Sequence, residues 1–187
     1  MKEKLLNLLT SVFILTFSLT TFEVAVSKPA NSQGAALHVK SHPQFNKNFS
    51  GNTFVLDGDS LRVGGKEVRL YGIDAPEYNQ TCFDAKKKEY PCGQKSREFL
   101  INLAGGKQVE CAYFDMDKYD RYLSKCSVGK ASINEELIKS GMAVIYSFTE
   151  ADEKMEKLEA EAKKNKLGVW QGAFQLPKDY RKAHPRK

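Results

Sequence analysis

The stretch Asp57-Gly58-Asp59-Ser60-Leu61-Arg62-Val63-Gly64-Gly65-Lys66-Glu67-Val68-Arg69-Leu70-Tyr71-Gly72-Ile73-Asp74-Ala75-Pro76-Glu77 carries the clearest structural instruction in the chain. Gly64-Gly65 separates two short runs, Ser60–Val63 and Glu67–Tyr71, in which apolar and polar residues alternate. Alternation of this kind is the mark of a half-buried strand, and a glycine pair accepts the positive φ angles of a two-residue hairpin turn. Such a turn sets Asp59 opposite Leu70, on the face of Leu61, Val63 and Val68, at the mouth of an apolar interior. The same register turns Arg69 to the opposite face, so a bulge or a longer turn is needed to bring it to Asp59. Asp74 lies four residues beyond Leu70, about 13 Å along an extended strand. It returns to Asp59 only if the chain bends, and Gly72 is the natural place.

Working outward, Thr53–Leu56 reads as a strand leading into this hairpin. Gln108–Phe114 and Tyr122–Val128 read as a second hairpin around Asp117-Lys118-Tyr119-Asp120. Three helices are predicted. Ser96, Phe99, Leu100 and Leu103 share one helical face, which Gly105-Gly106 ends. Ser132-Ile133-Asn134-Glu135 is a capping box opening a short helix that Gly141 closes. Thr149 and Asp152 open the third, whose face is Ala151, Met155, Leu158 and Ala162; Gly168 ends it and Val169-Trp170 folds back on the core. Short strands grouped early, with a few helices after them, give an α+β fold built around a small five-stranded barrel.

Composition and termini frame this domain. The 187 residues are 41% hydrophobic and 28% charged, the balance of a globular chain with one ordinary domain plus appendages. Residues 1–27 read as a signal peptide: Lys2 and Lys4, an apolar run from Leu5 to Leu19, then Ala25-Val26-Ser27 as the cleavage motif. The expected location is therefore exported, periplasmic or secreted, with an uncleaved membrane anchor as the alternative. Residues 28–50 lack periodicity and read as a linker or flexible arm, 51–172 as the folded domain, and 173–187 as a basic C-terminal tail. The net charge of +6 survives removal of residues 1–27, where Lys2 and Lys4 balance Glu3 and Glu23, and favours an anionic partner. Four cysteines, Cys82, Cys92, Cys111 and Cys126, suit disulfides in an exported chain. A closed zinc site is disfavoured, since Cys-x-x-Cys spacing is missing and His38, His42 and His184 lie outside the domain.

Asp59, Asp74, Glu77, Arg69 and Arg121 together make a phosphodiester-cleaving set. Hard divalent cations prefer oxygen ligands, and two aspartates leave room for water and a phosphate. A guanidinium fork matches the oxygens of a phosphate, and a carboxylate beside the attacking water can take its proton. Read one at a time, the acids are equally turn residues and the arginines surface ion-pair partners.

In order and spacing, Asp57 to Ser60, Arg69 to Glu77, Lys118-Tyr119-Asp120-Arg121, Asn134 to Gly141 and Leu167-Gly168-Val169-Trp170 resemble the successive signatures of the staphylococcal (micrococcal) nuclease family, over about residues 52 to 172. The resemblance implies an OB-fold barrel with three helices and a Ca²⁺ site. It makes Asp59, Asp74 and the Ala75 carbonyl metal ligands, Glu77 the general base, Arg69 and Arg121 the phosphate-binding arginines, and Lys118 and Tyr119 contacts to a further phosphate. It implies single-stranded DNA or RNA as substrate, 3′-phosphate products and a monomer, and the cysteines fall where exported bacterial members often carry them. The pairing expected on that basis is Cys82–Cys92 and Cys111–Cys126. Ser60, Ala75 and Asp120 depart from the usual Thr, Thr and Gly, and Ser147 and Thr149 stand where base-stacking aromatics are common; Tyr146 and Phe148 read equally as substitutes or as core residues. Two other readings are a non-catalytic OB module binding single strands and a barrel binding oligosaccharides.

Overall fold

The computed structural model describes residues 43–147 and 152–185. Strand β1 (Lys47–Asp57) runs into β2 (Ser60–Val63) and β3 (Lys66–Leu70). Gly64 and Gly65 make the β2–β3 turn at φ +54° and +83°, and Val63 faces Lys66 and Ser60 faces Arg69, the register expected from the sequence. Gly72, at φ +82°, bends the chain into the short β4 (Ile73–Asp74). The ladder of β5 (Cys82–Phe83) with β6 (Glu89–Tyr90) precedes helix α1 (Cys92–Ala104). Strand β7 (Gln108–Met116) returns antiparallel to β1, and β8 (Tyr122–Val128) pairs antiparallel with β7 and parallel with β3. That last pairing closes β3-β2-β1-β7-β8 into the five-stranded barrel. After β9 (Ala131–Ser132) come α2 (Ile133–Lys139), β10 (Val144–Ile145) paired with β4, α3 (Glu153–Lys164), a 3-10 turn at Gly168–Gln171, and α4 (Pro177–Ala183).

Alternation fills the barrel. Leu61, Val63, Val68, Leu70, Val109 and Cys126 point inward, against Leu100 of α1 and Leu137 and Ile138 of α2. Each large apolar side chain removed from water in this way contributes about 1.5–3 kcal/mol. Ser132 caps α2 by accepting from Glu135 N, and Asp152 caps α3 by accepting from Met155 N. Met155 and Ala162 are the buried residues of α3, with Leu158 packed beside them; Thr149 and Ala151 lie outside the described residues. Val169 folds back as expected, its amide donating to Gly141 O at 2.9 Å.

Three expectations change. The fold begins inside the predicted 28–50 arm, because Lys47–Asn52 pairs with Gln108–Tyr113 of β7 while the later half of β1 pairs with β2. One long strand thus serves two neighbours, and its first half shows no apolar alternation, since Phe49 alone anchors it among Tyr113 and Tyr122. A fourth helix joins the expected three: the predicted 173–187 tail contains α4, with Pro177 at its first position, where a missing N–H costs nothing. Helix α3 stops at Lys164, short of Gly168. The expected signal segment lies outside the described residues, among which no helix is long and apolar enough to cross a membrane.

Both cysteine pairs are bonded as expected, Cys82 to Cys92 and Cys111 to Cys126. The second joins directly opposed residues of β7 and β8 and lies within the core. Replacing both Cys111 and Cys126 by alanine should lower stability by about 2–4 kcal/mol in urea unfolding. Mapping of non-reduced peptides checks the pairing itself.

Candidate active site

The site starts at the turn after β1. Asp59 sits beyond the last ladder pair of β2, is 5% exposed, and uses both oxygens. Oδ1 accepts from Arg69 Nη1 at 2.6 Å and from Ser60 Oγ at 3.1 Å; Oδ2 accepts from the Ala75 amide at 3.0 Å. Asp74 is 2% exposed, and its Oδ1 accepts from Arg69 Nη2 at 2.9 Å. One guanidinium fork therefore bridges two buried carboxylates. Asp74 is fixed by the β4–β10 ladder, where it faces Val144, and by Tyr146 N donating to Gly72 O at 2.9 Å.

The bend at Gly72 is the one the sequence required. The opposite-face expectation for Arg69 is corrected without any bulge between β2 and β3. Asp59 lies in a turn, where strand alternation no longer dictates direction, and the long arginine side chain reaches past the strand end. Burial works against the Arg69 charge, but Asp59 and Asp74 outweigh it and hold the guanidinium above its ordinary value.

The parallel pairing of Val68 with Tyr122 puts Arg121, which immediately precedes β8, at the same end of the barrel as Arg69. Both arginines line a cleft of about 1120 Å³, together with Glu77, Tyr119 and Tyr146. Arg121 is gripped by Asp117, whose Oδ2 accepts from Nε at 2.9 Å and Nη2 at 2.7 Å. Asp117 Oδ1 accepts from the amides of Tyr119 and Arg121 and so shapes the turn. Asp120 occupies its left-handed position at φ +61°, a conformation Asp tolerates better than most residues. Tyr119 is 65% exposed, with Lys118 Nζ 5.0 Å and the Arg121 guanidinium 5.4 Å from its ring centroid. Of the candidate stacking aromatics, Tyr146 lines the cleft and Phe148 lies outside the described residues.

Sequence reasoning missed two residues of the site. Arg181 of α4 donates from Nη1 to Asp74 Oδ1 at 2.9 Å and to Glu77 Oε1 at 3.0 Å, and from Nη2 to Asp74 Oδ2 at 3.0 Å. Burial opposes its charge, but Asp74 and Glu77 more than compensate and hold it above the ordinary arginine value. Gln80, fully buried, accepts from Glu77 N at 3.2 Å and donates to Gln175 O at 2.7 Å, tying the Glu77 loop to the segment before α4. The available signal was Pro177 followed by Asp179, a helix start with an acid in its first turn.

The donors gathered around Arg69 are all oxygens, the chemistry a hard cation prefers. Among the described residues no group of three or more His, Cys, Asp or Glu stands together as a ready-made metal cluster. Asp59, Asp74 and the Ile73 carbonyl, which accepts from Arg69 Nη2 at 3.4 Å, give the site an all-oxygen set that suits a hard cation such as Ca²⁺ better than a nitrogen- or sulfur-seeking metal.

Residues 67–172, more than half of the chain, match the family described as staphylococcal nuclease homologue. Among curated proteins, the succinoglycan biosynthesis protein ExoI of Rhizobium meliloti is 33% identical over 123 residues, 64% of this chain and 63% of that protein. An uncharacterized endonuclease of Escherichia coli O157:H7 is 32% identical over 128 residues, 66% of this chain and 77% of that protein. The probable staphylococcal-like nuclease CAN3 of Oryza sativa subsp. japonica is 31% identical over 125 residues, 66% of this chain but 30% of that protein. The chain thus spans less than two thirds of the first and third of these relatives.

Partial burial raises the Asp117 carboxyl, but the bonds from Arg121 and two backbone amides prevail and depress it below its ordinary value. A carboxyl depressed on folding stabilises above its unfolded pKa, and that contribution disappears as pH falls through the folded value. Asp117→Asn should therefore be less stable than the parent at neutral pH, with the gap narrowing once pH falls below the ordinary carboxylate range. Urea unfolding in the two pH ranges checks this.

Proposed function

This chain belongs to the staphylococcal nuclease family, and from that premise we propose that it is a nuclease that hydrolyses single-stranded DNA or RNA with Ca²⁺, leaving 3′-phosphate ends. The observation that carries this reading is the Arg69 fork laid across Asp59 and Asp74, with Glu77 joined to Asp74 through Arg181 and lining the same cleft as Arg69. Asp59, Asp74 and the Ala75 carbonyl would hold the cation. Bound there, Ca²⁺ supplies positive charge that polarises the phosphoryl group and favours ionisation of water. Glu77 takes the proton of the attacking water. Water oxygen bonds to phosphorus, the bond to the 5′ oxygen breaks, and the 5′ oxygen leaves and takes a proton from solvent water. Arg69 and Arg121 exchange their carboxylate partners for the equatorial oxygens, on which charge grows. Lys118 and Tyr119 take a neighbouring phosphate of the strand.

The rival reading, a barrel that binds strands without cutting them, needs basic and aromatic residues only. Two buried carboxylates at the barrel rim add nothing to such binding and repel the backbone. We further propose that the protein acts as an exported monomer; two disulfides support an oxidising compartment.

Single-stranded DNA and RNA should be cut with Ca²⁺ and scarcely with Mg²⁺, which demands a tight octahedral shell. Cleavage persisting in excess chelator would refute the metal assignment. In single-turnover assays with Ca²⁺, Arg121→Lys should slow cleavage by roughly 10²–10³ and Glu77→Gln by roughly 10²–10⁴. Binding of an uncut analogue should change only a few-fold. Near-parental rates with weakened binding would show that these residues merely hold the strand.

A further inference from the structure

Helix α4 lies beyond the segment that matches the family, yet it inserts a cation into the centre of the site. Arg181 takes both oxygens of Asp74 with its fork and shares Nη1 with Glu77. These are a proposed metal ligand and the proposed base. An arginine–carboxylate pair in open solvent is worth little. This one differs, because the Asp74 side chain is only 3% exposed and its carboxylate is wedged between two guanidiniums. Removal of one partner from such a cluster leaves buried charge uncompensated.

The helix is seated rather than merely adjacent. Pro177 is buried at its start, and Tyr180 Oη donates to Asn79 O at 3.2 Å. Lys178 Nζ reaches Ser147 Oγ at 3.1 Å, and Gln80 bonds both to Glu77 N and to Gln175 O. The loop bearing Glu77 and the helix bearing Arg181 therefore share one set of anchors, which keeps the guanidinium aimed at the two carboxylates.

A divalent cation bound directly to Asp74 and a guanidinium bonded to both Asp74 oxygens claim the same lone pairs. We infer that Arg181 is an internal competitor of the divalent cation: its fork holds Asp74 and Glu77 until the cation displaces it, and so it sets the cation concentration at which the site becomes active. The inference rests on the metal assignment proposed above. Its thermodynamics are those of a competent state that is fractionally populated: apparent affinity falls by the fraction of molecules in which Arg181 has let go. Arg181 lines the same cleft as Tyr119 and Arg121.

Calorimetric titration of the full chain with Ca²⁺, without nucleic acid, tests this. Arg181→Gln should bind Ca²⁺ about tenfold more tightly, the gain expected if roughly nine molecules in ten hold the latch closed. Arg181→Lys keeps the charge but loses the fork, and should also bind more tightly, though by less. Lys182→Gln removes the same charge from the same helix at an exposed residue paired with Asp179, and should stay within about twofold of the parent. Equal affinity in the parent and both Arg181 variants, or a gain in Arg181→Gln matched by Lys182→Gln, overturns the competitor role while leaving the metal site standing. Absence of Ca²⁺ binding in parent and variants alike overturns both.

Discussion

Two carboxylates cannot be buried side by side without positive charge between them, and this constraint organises one end of the barrel. An unpaired carboxylate away from water costs several kcal/mol, and Asp59 and Asp74 would also repel each other. Arg69 answers both demands with one planar fork. Its position depends in turn on the β2–β3 register, on the bend at Gly72 and on the β4–β10 ladder that fixes Asp74. The chemistry and the local fold are therefore the same set of contacts, seen from two sides.

Closure of the barrel places the second arginine. Strand β3 accepts β2 on one edge and β8 on the other, so the turn before β8 opens onto the end of the barrel where β3 carries Arg69. Asp117 then acts as both turn former and counter-ion, shaping residues 117–121 through two amides and holding the Arg121 guanidinium. Each arginine of the cleft thus has a carboxylate partner, and phosphate binding is an exchange of partners rather than capture by a free charge.

What the sequence made legible follows from how local each signal was. Gly64-Gly65 and period-two alternation set the hairpin register, because turn chemistry and side-chain direction act over a few residues. The direction of Arg69 was misread because register logic was extended one residue too far, into the turn that holds Asp59. The start of β1 was hidden because Lys47–Asn52 carries one apolar anchor, Phe49, and gains its structure from β7, some sixty positions away. Helix α4 is hidden because the positive composition of residues 173–187 reads as a basic tail and masks the Pro177 start. That Arg181 finds Asp74, 107 positions earlier, is a tertiary fact with no local signature.

The buried amide of Gln80 gives this last point a practical edge. Its two ends are committed in opposite directions, one to the Glu77 loop and the other to Gln175. Gln175 lies past the point where resemblance to the family stops. A chain trimmed at residue 172 would strand a polar group in the interior and untie the loop that carries the proposed base. Where relatedness can be measured and where the working molecule ends are separate questions, and here they have different answers.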